Sequence, residues 1–277
     1  GPLFGELICA ACAKLLGPHA DLRRFTFVEI GAEPGSGILR EIAHPFARAL
    51  TLRVGEPLAL GEISRGNPLI VFSNELFDAQ PFRRFVTREA HWRGRGIALS
   101  NDDRLCEIEL PPDASAALPG FVSLPPAQAF PDGYQLDLPV ASAALARQLA
   151  AQTWPGLFIA CDYGKSWREL VEATPRGTAR AYFRHQQSTD LLARPGDQDL
   201  TCHICWDWLV DALAQQGFRS PLVESQEAFL VHHAGHFIAG LTAAEAAGLS
   251  PRKRSLMQLL HPANMGQKFQ VLHAFRE

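Results

Sequence analysis

Three sets of residues have the types and spacing to do chemistry. The first centres on Glu29, near the end of an apolar, β-rich run from Phe25 to Ile30 that breaks into Gly31-Ala-Glu-Pro-Gly35-Ser-Gly37. Glycines there let the chain turn sharply and approach a ligand, and a helix starting at Ser36 would offer its N-terminus to negative charge. A strand-end carboxylate suits a ligand carrying an ammonium group better than one carrying a pyrophosphate. The second set is Glu75 and Asp78, just beyond the buried-strand pattern Pro68–Ser73. Sheets of α/β proteins expose ligands at strand carboxyl ends, and two carboxylates can hold a planar guanidinium bidentately. The third is His203 after Asp199-Leu-Thr201, which could act as a base or hold a substrate. Each also has a structural reading: Asp78 as a turn cap, Glu75 as partner of a backbone amide, His203 as a satisfied imidazole.

Metal chemistry is the weaker prospect. Cys9-x-x-Cys12 and Cys202-x-x-Cys205 have zinc-ligand spacing, but Cys9 and Cys12 fall in an Ala/Leu-rich helical segment where cysteine serves as a small hydrophobe. His232, His233 and His236 recur on another helix, with 232 and 236 sharing a face, yet no acid stands beside them as on a zinc-protease helix. No metal is expected.

The elements that must position these groups follow from pattern. Helices are expected over 3–16, from Ser36 to about Phe46, from Ser142 to about Gln152, over 206–213, 226–241 and 243–248, and from Ser250 to His261. Strands are expected over 25–30, 50–54, 68–73, 157–161 and 269–275, with short antiparallel strands across 82–110 and an irregular connection over 111–139. The strand at 50–54 delivers Glu56 about twenty residues after the glycine turn, where dinucleotide-type folds place the acid that binds a ribose hydroxyl; a solvated loop acid is the alternative. Strands alternating with helices give an α/β fold with a mostly parallel sheet. A helical block before the last strand gives a division into a core, 1–205 and 262–277, and an inserted helical subdomain, 206–261.

Composition bounds the partners. With 277 residues, 47% hydrophobic and 20% charged, and a net charge of −3, the chain can bury a sizeable core and lacks the basic footprint of a nucleic-acid binder. No apolar run reaches the ~20 residues that cross a bilayer. The expected compartment is the cytoplasm of a bacterium, or the mitochondrial matrix in a eukaryote.

Several segments together resemble the MidA family, a class I methyltransferase-like group that includes the mitochondrial arginine methyltransferase acting on respiratory complex I. They are Pro2-Leu-Phe-Gly-Glu-Leu7, Val28-Glu-Ile-Gly-Ala32, Ser73-Asn-Glu-Leu-Phe-Asp-Ala79, Asp162-Tyr-Gly164, Arg180-Ala-Tyr-Phe-Arg-His185, Arg194-Pro-Gly196 with Asp199-Leu-Thr-x-His203, and Met265-Gly-x-x-Phe269. The resemblance implies a Rossmann-like methyltransferase core and S-adenosyl-L-methionine as cofactor, held by Phe4, Gly5, Gly31, Gly35 and the Asn74-Glu75 edge. It also implies a protein substrate methylated on arginine. The chain begins inside a family motif, which implies a preceding segment.

Two departures favour an alternative, a degenerate methyltransferase-fold protein acting as a binding or assembly factor. Relatives carry glycine at position 33, and Glu33 would crowd a bound amino acid and repel its carboxylate. The stretch from Glu56 to Pro68 has about a dozen residues, too few for the helix, strand and second helix of a complete core. A dinucleotide-dependent oxidoreductase is disfavoured because Gly31-x-x-x-Gly35-x-Gly37 lacks the Gly-x-Gly-x-x-Gly spacing.

Overall fold

Thr26-Phe-Val-Glu-Ile30 is buried at every position, and such a run is stable only as an inner strand covered on both faces. In the computed structural model, which describes residues 1–33, 35–56, 58–111, 118–184, 186–244, 248 and 250–277, it is strand β1. His185 and residues 245–247 of the expected helix after Ala243 lie outside the described residues.

Two groups of segments form separate units. The first comprises 1–76, 147–163 and 210–277. Its sheet runs β14-β15-β8-β3-β1-β2, with β2 at Arg48–Leu52, β3 at Leu69–Asn74, β8 at Gly156–Asp162, β14 at Arg219–Ser225 and β15 at Gln270–Arg276. Strands β2, β1, β3 and β8 are parallel, while β15 runs antiparallel to both β8 and β14. This is a mixed, Rossmann-like α/β sheet.

One face of the sheet presents Phe27, Ile70, Phe72, Ile159 and Val271. Helix α1 (Pro2–Leu16) covers it with Leu3, Leu7, Ile8 and Ala11, joined by Phe229 and Leu230 of a long helix at Gln226–Ala244 and Leu256 of the helix at Pro251–Leu260. Phe27 stacks between Phe46 and Phe72 at centroid distances of 5.4 and 5.6 Å. Each such ring contributes about 1.5–3 kcal/mol by leaving water. Ser250 caps the Pro251 helix by accepting from the Lys253 amide, as its cap and first-turn proline foretell.

The expected helix from Ser36 to Phe46 is absent: these residues form turns. Gly37 has φ 142°, outside helical space, and the Ile38 N–H goes to the Glu29 carboxylate rather than to a carbonyl one turn back. Between β2 and β3 the described residues hold one five-residue helix, α2 (Leu60–Ser64), and β2 is the last strand of the sheet.

The segment 206–261, expected as an inserted helical subdomain, also contains β14, which continues the central sheet beside β15. Pro221 and charged residues blur its pattern, and both are tolerated because β14 is an edge strand. Contacts group 210–277 with this sheet and place 77–146 and 164–209 in the second unit.

The second unit is rich in antiparallel strands. Its four-stranded sheet runs β6-β5-β4-β7, where β4 is Arg83–Arg88, β5 His91–Leu99, β6 Leu105–Glu109 and β7 Gln135–Leu138. Phe85, Leu136, Leu138, Leu170 and Trp208 make its core. Asp137, fully buried, accepts from the Thr178 and Ala179 amides, both at 2.8 Å, and from Arg84 Nε at 2.9 Å. Among the described residues no helix is long and apolar enough to cross a membrane.

Candidate functional site

Strand β1 carries Glu29 to its carboxyl end beside Thr51 of β2 and Phe72 of β3. The Glu29 side chain is buried, and its Oε2 accepts from the Ile38 amide at 2.8 Å. Burial pushes its carboxyl above the ordinary range, and the amide only partly offsets this. A Cβ at Gly37 would lie 3.2 Å from that Oε2 and 3.3 Å from Thr51 Oγ1, so glycine lets the backbone close over the carboxylate. Gly31, at φ 89°, turns the chain out of β1 and donates to the Leu52 carbonyl at 2.8 Å. The turn is tied across its base by Ser36, whose amide and hydroxyl both donate to the Glu33 carbonyl.

On the neighbouring strand, β3 ends in Asn74 and Glu75. Glu75 sits at φ 50°, a left-handed conformation costing a non-glycine residue about 1–2 kcal/mol. Its amide donates to the Cys161 carbonyl at 3.0 Å, and the Asn74 amide group donates to Glu75 Oε1 at 3.2 Å. Burial raises the Glu75 carboxyl as well, with the Asn74 bond opposing.

These two strand ends border one cleft of about 560 Å³. Glu29, Glu33, Glu41 and Glu75 line it together with a single guanidinium, that of Arg40. A partly dry cleft with that balance favours a cationic ligand group and offers one place for an anionic one. Gly31, Gly35 and Asn74 line the same cleft. Glu56 lines an adjoining cleft of about 650 Å³, which shares Glu29 and Gly35, and accepts weakly from the Arg53 amide at 3.3 Å.

Other expected site residues lie elsewhere. Phe4 borders an apolar cleft of about 550 Å³ with Asn74, Arg252 and Met265. Gly5 is buried, and a Cβ there would lie 2.1 Å from the Ile38 carbonyl oxygen, so this glycine is where the turn packs on α1. Asp78 and His203 belong to the second unit. Asp78 is buried and its carbonyl accepts from the Cys202 amide at 2.9 Å. His203 borders a cavity of about 400 Å³ with Lys165, Arg176 and Arg180. Burial, then Lys165 and Arg180, push its pKa down to about 4, which leaves a neutral imidazole at physiological pH.

Burial keeps four of the cysteine thiols protonated. Burial, with Glu6 adding, pushes the Cys9 thiol up to about 12, and burial also raises Cys12, Cys161 and Cys202. Sequence reasoning missed Arg40, Glu41 and the Ile38 amide, because all three fall in the stretch assigned to a helix facing the core. The signal available was Pro45, which disfavours a helix running through the residue before it.

Residues 56–223, more than half of the chain, match the model of a family described as "Putative S-adenosyl-L-methionine-dependent methyltransferase". No curated protein gives a significant match. A native crystal structure of a Burkholderia thailandensis protein superposes with a TM-score of 0.80 at 22% identity, over 99% of this chain and 79% of that one. A second structure from that organism, bound to S-adenosyl-homocysteine, superposes with a TM-score of 0.78 at 22% identity, over 100% of this chain and 77% of that one. At this identity the likeness establishes the fold.

Proposed function

The chain belongs to this family of S-adenosyl-L-methionine-dependent methyltransferases, and on that premise we propose that the acidic cleft holds S-adenosyl-L-methionine and directs methyl transfer to an arginine of a substrate protein. The observation that carries the reading is the placing of Glu29 and Glu75, with Arg40, around a glycine turn at the carboxyl ends of β1 and β3. The residues fit the cofactor. A cleft of about 560 Å³ is of small-molecule size. Ile38 takes one oxygen of Glu29, and the other carries no hydrogen bond among the described residues. Gly37 lets the turn close on Glu29 and Thr51 with no Cβ crowding either.

When bound, the cofactor supplies a methyl group on an electrophilic sulfonium. In this reading Glu29 binds its ammonium, Arg40 its carboxylate and Glu56 its ribose hydroxyls, while Gly31 and Gly35 keep the backbone bare beside it. Phe4 offers an apolar ring near Asn74. Glu75, steadied by Asn74, would accept a charge-assisted hydrogen bond from the guanidinium and so help to orient it toward the methyl donor. The chain thus works by alignment and placed charge rather than by a covalent step. The identification with the MidA group and with arginine as acceptor rests on the motif matches. Asp78 and His203, both in the second unit, stay candidate catalytic residues in this reading, and the buried Nδ1 of His203 has no hydrogen-bond partner among the described residues.

A second reading, a non-catalytic binding or assembly factor with a methyltransferase fold, is favoured by the short β2–β3 connection and the missing helix after the glycine turn. Calorimetric titration of ligand-free protein with S-adenosyl-L-methionine and S-adenosyl-homocysteine separates the two. Micromolar binding, about −8 kcal/mol, that weakens at least tenfold in Glu29→Gln supports the cofactor site. Absence of binding to ligand-free protein sinks it and leaves the assembly-factor reading.

A further inference from the structure

At the opposite flank of the same sheet, three imidazoles gather around one carboxylate. Glu224 of β14 places Oε2 2.9 Å from His233 Nε2 and 3.1 Å from His273 Nε2, and Oε1 2.6 Å from His232 Nδ1. His232 and His233 lie on the helix at Gln226–Ala244, and His273 lies on β15. Ligand atoms of Glu224, His233 and His273 all fall within 4.8 Å of one another. We propose that Glu224, His233 and His273 form a binding site for a divalent transition-metal cation, with Zn²⁺ the best fit.

The argument is geometric and chemical. Nitrogen and oxygen ligands of zinc stand about 2.0–2.2 Å from the ion, which puts them about 3–3.5 Å from each other in a tetrahedral shell. The two carboxylate–imidazole separations already lie at that spacing, so an ion can replace the hydrogen bonds with little backbone movement. Two imidazoles and a carboxylate are a donor set for Zn²⁺, Co²⁺, Ni²⁺ or Fe²⁺, whereas Mg²⁺ and Ca²⁺ prefer all-oxygen shells. Three protein ligands leave a position open for water.

The surroundings resemble a prepared site. The side chains of Glu224 and His273 are each 11% exposed and that of His233 is 18% exposed, which is shielded yet reachable from solvent. The Phe229 ring packs against both imidazoles, at 5.0 and 5.6 Å, and limits their rotation. His232, 61% exposed, engages the other oxygen of Glu224 and so orients the carboxylate from outside the shell. Nothing in the sequence ties Glu224 to the histidines: the acid missing from the helix comes from a strand. Glu224 lies four strand steps and His273 three from β1, about 19 and about 14 Å along the sheet, so the site stands apart from the acidic cleft. A bound ion would clip the edge strand pair β14–β15, whose register shifts between Arg219 and Leu222, to the helix beside it.

The test uses untagged, chelator-stripped protein titrated with Co²⁺ by calorimetry and visible absorption, with Zn²⁺ as competitor. One Co²⁺ per chain, with ligand-field bands, no sulfur-to-metal charge transfer, displacement by Zn²⁺ and a raised thermal midpoint is the expected result. His233→Ala and His273→Ala should each weaken binding at least 100-fold. His232→Ala should weaken it about 10-fold without changing stoichiometry, and His236→Ala should leave it unchanged. No binding by the wild type, thiolate bands, or binding that survives the paired His233→Ala and His273→Ala substitution overturns the proposal. If those variants fail to fold, nitrogen-15 imidazole spectra of the wild type decide: Zn²⁺ must shift the Nε2 signals of two histidines selectively, and uniform or absent shifts overturn it.

Discussion

At the β15 flank of the central sheet, Arg276 donates to the carbonyls of Ala150, Gln152, Trp154 and Gln216, and its guanidinium lies over the rings of Trp154 and Phe218. At the β1–β2 flank, three glycines turn at positive φ, Glu75 holds a left-handed conformation, and β2 ends the sheet. One flank satisfies its polar groups with protein. The other leaves carboxylates raised by burial beside an open cleft. Anchored polar groups and cleft-facing carboxylates thus lie on different strands of one sheet, and the proposed binding site would be carried on a rigid scaffold.

The largest effect should come from breaking the first flank. Arg276→Ala removes charged hydrogen bonds from four carbonyls as well as two ring contacts, and should cost about 3 kcal/mol of unfolding free energy. Urea unfolding should show a lower midpoint with an unchanged slope, while the folded fraction keeps its affinity for S-adenosyl-L-methionine. A loss of affinity larger than the loss of folded protein would show that the flanks are coupled.

Glu75 tests the converse. Glu75→Ala should lower methyl transfer at least 100-fold, about 2.7 kcal/mol, and leave the unfolding midpoint nearly unchanged. Glu75→Gly should abolish the same activity yet stabilise the protein by up to about 1 kcal/mol, because glycine adopts φ 50° without strain. Unchanged activity in both variants removes Glu75 from the mechanism.

The two flanks were not equally legible in the sequence. The buried strands β1, β3, β8 and β15 read directly because continuous apolar runs leave few alternatives, and the Ser250 cap identified its helix. The carboxyl end of β1 reads as a glycine turn, but Ile38, Ile42 and Phe46 mimic a helical face, and no local rule reveals that the Glu29 carboxylate would take the Ile38 amide. β14 stayed hidden because an edge strand has one partner and tolerates proline. Glu224 and His273 meet only through strand register, which a single sequence does not encode locally.

The pH dependence sharpens the contrast with a smaller effect. Burial holds the Glu29 and Glu75 carboxyls above the reference 4.5, so between 4.5 and their raised values the folded protein keeps protons that the unfolded chain has lost. Raising pH through that window therefore lowers the stability these groups contribute. A cationic ligand prefers the ionised form, so its affinity must move the opposite way and rise several-fold as pH increases from about 5 to about 7.5. Glu29→Gln combined with Glu75→Gln should flatten both trends. Affinity that falls with pH would mean that the ligand in the cleft is not held by these carboxylates.

The smallest effect is expected at Glu33, the departure that looked most damaging in the sequence. Its side chain borders the cleft but is exposed, and its carbonyl, not its carboxylate, fixes the turn through Ser36. A solvated carboxylate repels a ligand carboxylate weakly and less still in salt, so Glu33→Gly should tighten S-adenosyl-L-methionine binding by about threefold at most, near 0.6 kcal/mol. Calorimetry at low and high salt separates the outcomes: a small gain that shrinks with salt is screened repulsion. Binding created from nothing by this one substitution would instead show that Glu33 closes the cleft in the native chain. The short β2–β3 connection would then be the companion of a lost activity, and the glycine-turn flank would be a remnant beside an intact scaffold.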